Sequence, residues 1–250
     1  MPGSLVLLAL IFISAVPVIA VYIWYRVAKY QFSLIWFLFA LFAGATAFFP
    51  ALFLQNLLPY SISAGGRLHL FYKYFIRIAS TEEISRLLML FIFFYISGRI
   101  TKENARTEDT RTGDANTYGM EQFPSWDKVR KGAAGGLVAG LGFAILENAS
   151  YAVNDMSVNI LLLRSIFTAA LHAACGSRVG AASVLFRSNP LQAFMRLLTA
   201  IAIHGIYNFM AALPGFPSLM AILIAVSAVA SSILTIRSKW NDAGSARSRS

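Results

Sequence analysis

Apolar residues run along this chain in blocks near 20 residues long, separated by short polar segments. Seven such blocks cover approximately 4–25, 33–57, 82–98, 132–153, 158–178, 191–213 and 217–236. A helix rising about 1.5 Å per residue needs about 20 residues to cross a hydrocarbon core of about 30 Å. The pattern predicts an all-α, polytopic transmembrane bundle of about seven helices. A membrane β-barrel requires short segments of alternating polarity instead, and none is present.

Three polar stretches complete the layout. Between the second and third blocks His69, Lys73 and Arg77 recur every fourth residue, with Leu68, Phe71, Tyr72, Phe75 and Ile76 on the other faces. That predicts either a short interfacial amphipathic helix or an outward extension of the third membrane helix. The stretch of about 99–131 mixes seven basic with six acidic residues and reads as a cytoplasmic, partly disordered loop. Residues 241–250 read as a disordered basic tail, leaving 1–240 as a single multi-helix membrane domain.

Composition sharpens this reading. The chain is 58% hydrophobic and 13% charged, against about a quarter charged in soluble domains, more apolar surface than a soluble core absorbs. The net charge of +10 invites a nucleic-acid reading, but no compact basic stripe is interleaved with aromatics, so no nucleic-acid partner is expected. Membrane topology accounts for the charge better. With the N-terminus outside, 15 of the 21 Lys and Arg fall on the cytoplasmic side; Arg67, Lys73 and Arg77 lie outside, and Arg86, Arg164 and Arg196 lie within helices. This is the positive-inside pattern. The first block has no basic residue before it and is followed by Arg26 and Lys29, which suits a retained helix. The expectation is a multi-pass protein of the cell membrane with the bilayer as partner. No feature of the sequence specifies an oligomeric state. Cys175 sits in the fifth block and reads as a small packing residue.

Charged groups in hydrocarbon cost at least about 2.5–3.5 kcal/mol each on insertion scales and so mark function. Glu82, Glu83 and Arg86 open the third helix; Glu147 and Asn148 lie late in the fourth. Arg164 and His172 mark the fifth, and Arg196, His204 and Asn208 the sixth. In the fourth helix Gly132, Gly136 and Gly140 form a line that Glu147 continues, and glycine lines mark close helix contact. The fifth repeats this with Arg164, Thr168, His172, Gly176 and Gly180, the sixth with Arg196, Ala200, His204, Asn208 and Ala212. These polar lines are expected to face one interior. Counting from the outer ends, Glu147 lies about 9 Å, His204 about 14 Å and His172 about 21 Å deep, compatible with one cavity open to the exterior.

Carboxylates and imidazoles supply what peptide hydrolysis needs. A buried Glu can deprotonate water, and His or Asn can stabilise an oxyanion. The same set could hold a metal, with His172, His204 and Glu147 as its ligands. No His-Glu-x-x-His pair is present, and His204 and Asn208 share a face suited to an oxyanion. A glutamate-activated water is therefore favoured over metal, with no cofactor favoured and zinc the candidate if one is bound.

Four strings carry a resemblance: Glu-Glu-Ile-Ser-Arg at 82–86, Phe-Ala-Ile-Leu-Glu-Asn-Ala-Ser-Tyr at 143–151, Arg164 followed eight residues later by His172, and His-Gly-Ile-Tyr-Asn at 204–208. Together they resemble the PrsW family of intramembrane proteases, which looks related to the type II CAAX prenyl proteases. The resemblance implies Glu82 and Glu83 as the source of the base, with His172, His204 and Asn208 completing the site and Glu147 supporting it. Arg86, Asn148 and Arg164 are read as supporting residues. Where this chain has Arg86, the resemblance leads one to expect Lys. The implied activity is an intramembrane endopeptidase that cuts a membrane-anchored protein near the outer leaflet, with an anti-sigma factor as candidate substrate. Rival readings are a catalytically silent membrane scaffold and a proton-coupled transporter. A transporter needs the polar line to continue inward, where only Arg196 does so.

Overall fold

The computed structural model describes the backbone of residues 2–30, 32–62, 66–112, 126–153 and 158–237, and their side chains apart from 2–11, 14, 97–112, 126, 127, 158, 160 and 161. The centre of the polar stretch and the tail at 241–250 lie outside the described residues.

Every regular element among those residues is helical: α1 (Pro2–Val27), α2 (Leu34–Thr46), α3 (Phe48–Leu57), α4 (Arg67–Phe71), α5 (Thr81–Thr112), α6 (Trp126–Val153), α7 (Val158–Leu163), α8 (Ala169–Leu185), α9 (Pro190–Ala211) and α10 (Phe216–Arg237). Two π-helical segments, Tyr72–Ser80 and Arg164–Thr168, splice α4 to α5 and α7 to α8. Grouped by continuity, these elements make seven helical rods, in agreement with the seven apolar blocks. α2 and α3 are one rod interrupted at Ala47, because Pro50 has no N–H to offer the carbonyl of Thr46.

Leu34–Leu57, Lys128–Val153, Pro190–Ala211 and Phe216–Arg237 are long and apolar enough to cross a membrane, and Ala15–Val27 is a shorter apolar helix. Large apolar side chains such as Phe39, Phe42, Phe53, Phe194 and Leu234 face outward, the arrangement a bilayer solvates. The protein is a multi-pass integral membrane protein. α5 shows both environments, with Ile84, Leu88 and Ile92 turned out and Glu82, Glu83, Arg86, Leu90 and Phe93 turned in.

The amphipathic segment around Lys73 is an extension of the third membrane helix, since the chain is helical without a break from Arg67 through Thr112. Helical backbone also occupies 99–112 and 126–131, the two ends of the stretch read as loop.

α8 is the central helix. Of its residues from Ala169 to Leu185, only Ala170, Arg178 and Val184 are not buried. It packs on α6 backbone to backbone: a methyl added at Gly132, Gly136 or Gly140 would run into the carbonyls of Gly180, Gly176 or His172, and one added at Gly176 or Gly180 would meet α6 in return. Both glycine lines thus face each other. Gly44 and Gly142 serve the α2–α6 contact in the same way. Arg178, counted with the cytoplasmic cations, donates to Ser232 of α10 at 3.0 Å and also to Ser231.

Candidate active site

The π segment Tyr72–Ser80 delivers the chain to Thr81 with Glu82 and Glu83 turned into the bundle, and Arg164–Thr168 does the same ahead of His172. Single π turns inside α-helices recur at functional sites because the added residue re-aims the face that follows. α6 brings Glu147, and α9 brings His204.

His172 and Glu147 meet although their backbones are not level. Gly140 abuts the carbonyl of His172, and Glu147 is seven residues further along α6, about 10 Å by helix rise. α6 and α8 run antiparallel, and side chains lean toward the N-terminus of their own helix. Glu147 leans down as His172 leans up, and Oε2 lies 2.8 Å from Nε2.

Six ionisable groups from four helices form one buried cluster. His204 Nδ1 is 2.7 Å from Glu83 Oε1, and its Nε2 faces Glu82 Oε2 at 3.7 Å. The other oxygen of Glu83 accepts from Arg86 Nη1, and Arg86 Nη2 lies 3.1 Å from His172 Nδ1. The guanidinium can only donate. His172 Nδ1 is therefore the acceptor, and its Nε2–H donates to Glu147. Arg86, Glu83 and His172 are fully buried, with 0% of their surface exposed. Phe143 forms a platform, its ring 4.6 Å from the Arg86 guanidinium carbon and 5.1 Å from the His172 ring. The two imidazoles stand edge to face at 5.0 Å.

Glu147 also pairs with Arg164 at 2.9 Å, and Arg164 lies over Tyr151. Asn208 does not reach the cluster but lines an adjoining cavity with Glu147, Arg164 and Tyr207. Asn148 turns to Ser165 at 3.5 Å. Cys175 is packed against the Ala200 carbonyl, in keeping with the packing reading. One contact was not foreseen: Gln55 of α3 donates to Glu82 Oε1 at 3.1 Å. Its only signal in the sequence is a polar amide near the end of the second apolar block.

The expected metal set was His172, His204 and Glu147. Among the described residues, the set whose ligand atoms all lie within 4.8 Å of one another is instead Glu82, His172 and His204. Glu82 Oε2 is buried with no hydrogen-bond partner, the state of an oxygen that still has a ligand to take.

A multi-pass helical bundle enclosing carboxylates, imidazoles and a compensating arginine defines a membrane-embedded hydrolase. Residues 33–233 match the PrsW family intramembrane metalloproteases, and the chain belongs to that family. It is a peptide hydrolase of the membrane, acting on a protein substrate. No curated protein and no solved structure matches it.

Proposed function

We propose that the protein is an endopeptidase that cuts a membrane-anchored protein near the outer leaflet, with a divalent metal held by Glu82, His172 and His204. The observation that carries this reading is the convergence of those three side chains within 4.8 Å beside the unpartnered Oε2 of Glu82. Two imidazoles and one carboxylate form the donor set of a catalytic zinc site that keeps one position open. Bound there, the metal supplies Lewis acidity.

The remaining groups orient and move protons. Glu83 accepts from His204 Nδ1 and so turns the Nε2 lone pair toward Glu82, as outer carboxylates do in metal sites. Arg86 balances the charge of Glu83. Glu147 faces both the cavity and His172, which suits it to take a proton from water arriving there. Asn208 on the same cavity suits hydrogen bonding to the scissile carbonyl as charge develops on it. With the N-terminus outside, the cavity opens at the outer end of α6 and α9. The family resemblance favours an anti-sigma factor as substrate.

One feature favours a second reading, in which a glutamate activates water without metal: both ring nitrogens of His172 are already engaged by Arg86 and Glu147. In that reading Glu82 is the base, because both oxygens of Glu83 are occupied. The deciding experiment reconstitutes purified protein with a library of single-pass membrane substrates and measures bound metal alongside cleavage. The metal reading expects stoichiometric zinc in the wild type, lost in Glu82→Gln together with activity. Full activity after exhaustive chelation, with no zinc bound, rejects it in favour of the metal-free base. No cleavage of any substrate, with the carboxylates dispensable, leaves a scaffold.

A further inference from the structure

The cavity beside Glu147 carries charge that the buried cluster does not use. It encloses about 500 Å³, within the range of ligand pockets, and exposed Ala211, Ala212 and Leu219 stand at its rim. Two cations line it, Lys73 from one π segment and Arg164 from the other, against one carboxylate, Glu147. That carboxylate is already shared between Arg164 and His172. Arg164 engages Glu147 through Nη2 but retains an unused donor, since its Nε has no hydrogen-bond partner among the described residues. No carboxylate among the described residues pairs with Lys73, whose Nζ lies 5.3 Å from the ring of Tyr74. A cleft with low-dielectric walls and an excess of one charge concentrates the opposite charge, and two cations against one shared carboxylate leave room for a second.

We propose that this cavity is a substrate subsite for an Asp or Glu side chain near the scissile bond, its carboxylate held by Lys73 and Arg164. The proposal rests on the peptide-hydrolase reading and extends it by naming what the enzyme recognises. A lipid phosphate is the competing anion at this depth. The lining, however, includes Glu147, Asn208 and the Thr168–Tyr207 hydroxyl pair at 3.0 Å beside apolar Ile78 and Phe167, and an acyl chain would bury those polar groups without hydrogen bonds. A peptide satisfies them with its own backbone.

The test uses full-length protein in zwitterionic nanodiscs. Fluorescent single-pass peptides carry Asp, Asn or Lys at successive positions just outside their span, and both affinity and cleavage are measured. At one or two adjacent positions Asp should bind at least about tenfold more tightly than Asn. Lys73→Gln should remove most of that preference, and Lys73→Glu should turn it toward the Lys peptide. Equal binding of Asp and Asn peptides at every position overturns the proposal, as does a preference unchanged in both Lys73 variants or no binding by any peptide. Dependence on the peptide's C-terminal carboxylate, or a Lys73 effect seen only on phosphatidylglycerol uptake into the discs, also overturns it. A charge preference in binding without cleavage removes the proteolytic reading and keeps the subsite; cleavage without charge preference does the reverse.

Discussion

Replacing Arg86 tests whether the buried cluster is held together by charge compensation. Its guanidinium meets Glu83 and His172 and stacks on Phe143 with no solvent exposure. In Arg86→Met the flexible thioether fills most of the vacated stem, so the loss is chiefly electrostatic. Glu83 then keeps one strong partner, His204 at 2.7 Å. Removing one member of a buried pair costs about 3–5 kcal/mol because the other charge is stranded. At about 2–4 °C per kcal/mol for a chain of this length, the unfolding midpoint should fall by roughly 6–20 °C. Arg86→Lys restores the cation expected from the family resemblance but cannot fork between Glu83 and His172, and should fall between wild type and Arg86→Met. The double variant Arg86→Met/Glu83→Gln removes both charges and should be more stable than the sum of the singles, with a coupling of about 1–3 kcal/mol. Intrinsic-fluorescence melting in detergent and in nanodiscs reads wild type, Arg86→Met, Arg86→Lys, Glu83→Gln and the double variant. A midpoint for Arg86→Met within about 2 °C of wild type, or strict additivity in the cycle, refutes the reasoning.

Three further outcomes are expected. Gly140→Ala sets a methyl against the His172 carbonyl and the Cα of Ala173; backbone on both sides cannot yield, so α6 and α8 must part, at a cost of about 1–3 kcal/mol in stability and on the order of 100-fold in turnover, read by melting and by cleavage rate, whereas wild-type values would refute the close contact. His172→Ala and His204→Ala should each abolish cleavage while the protein still inserts and folds, checked by size-exclusion profile beside the activity assay; near wild-type turnover in both would defeat the catalytic reading of α8 and α9. For topology, single cysteines in 101–128 should resist an impermeant thiol reagent in intact cells while those in 60–79 react, and labelling of the 101–128 segment would reverse the orientation.

Much of the architecture was legible in one dimension because the bilayer imposes a length. Seven apolar blocks became seven rods, and on the inward stripes Gly136, His172 and His204 are buried as their periodicity implied, whereas Arg164, Arg196 and Asn208 are half-buried and Ala212 is exposed. Membership of the cluster was legible too, since Glu83, Glu147 and His172 have no inexpensive position in lipid.

Periodicity assigns a face to each helix, but it leaves open how that helix is rotated and staggered against a neighbour distant in sequence. Only the packed bundle therefore decided that Glu82 lies within 4.8 Å of both histidines, that Glu147 meets His172 and Arg164, and that Glu83 is engaged by Arg86 and His204. Gln55 reaches Glu82 across 27 residues of sequence, a contact invisible to any local pattern. The π segments were equally hidden, because the shift from i→i−4 to i→i−5 bonding changes no residue type. Local composition determined which side chains avoid lipid; the glycine contacts between α6 and α8, together with the antiparallel lean of Glu147 and His172, determined which of them touch.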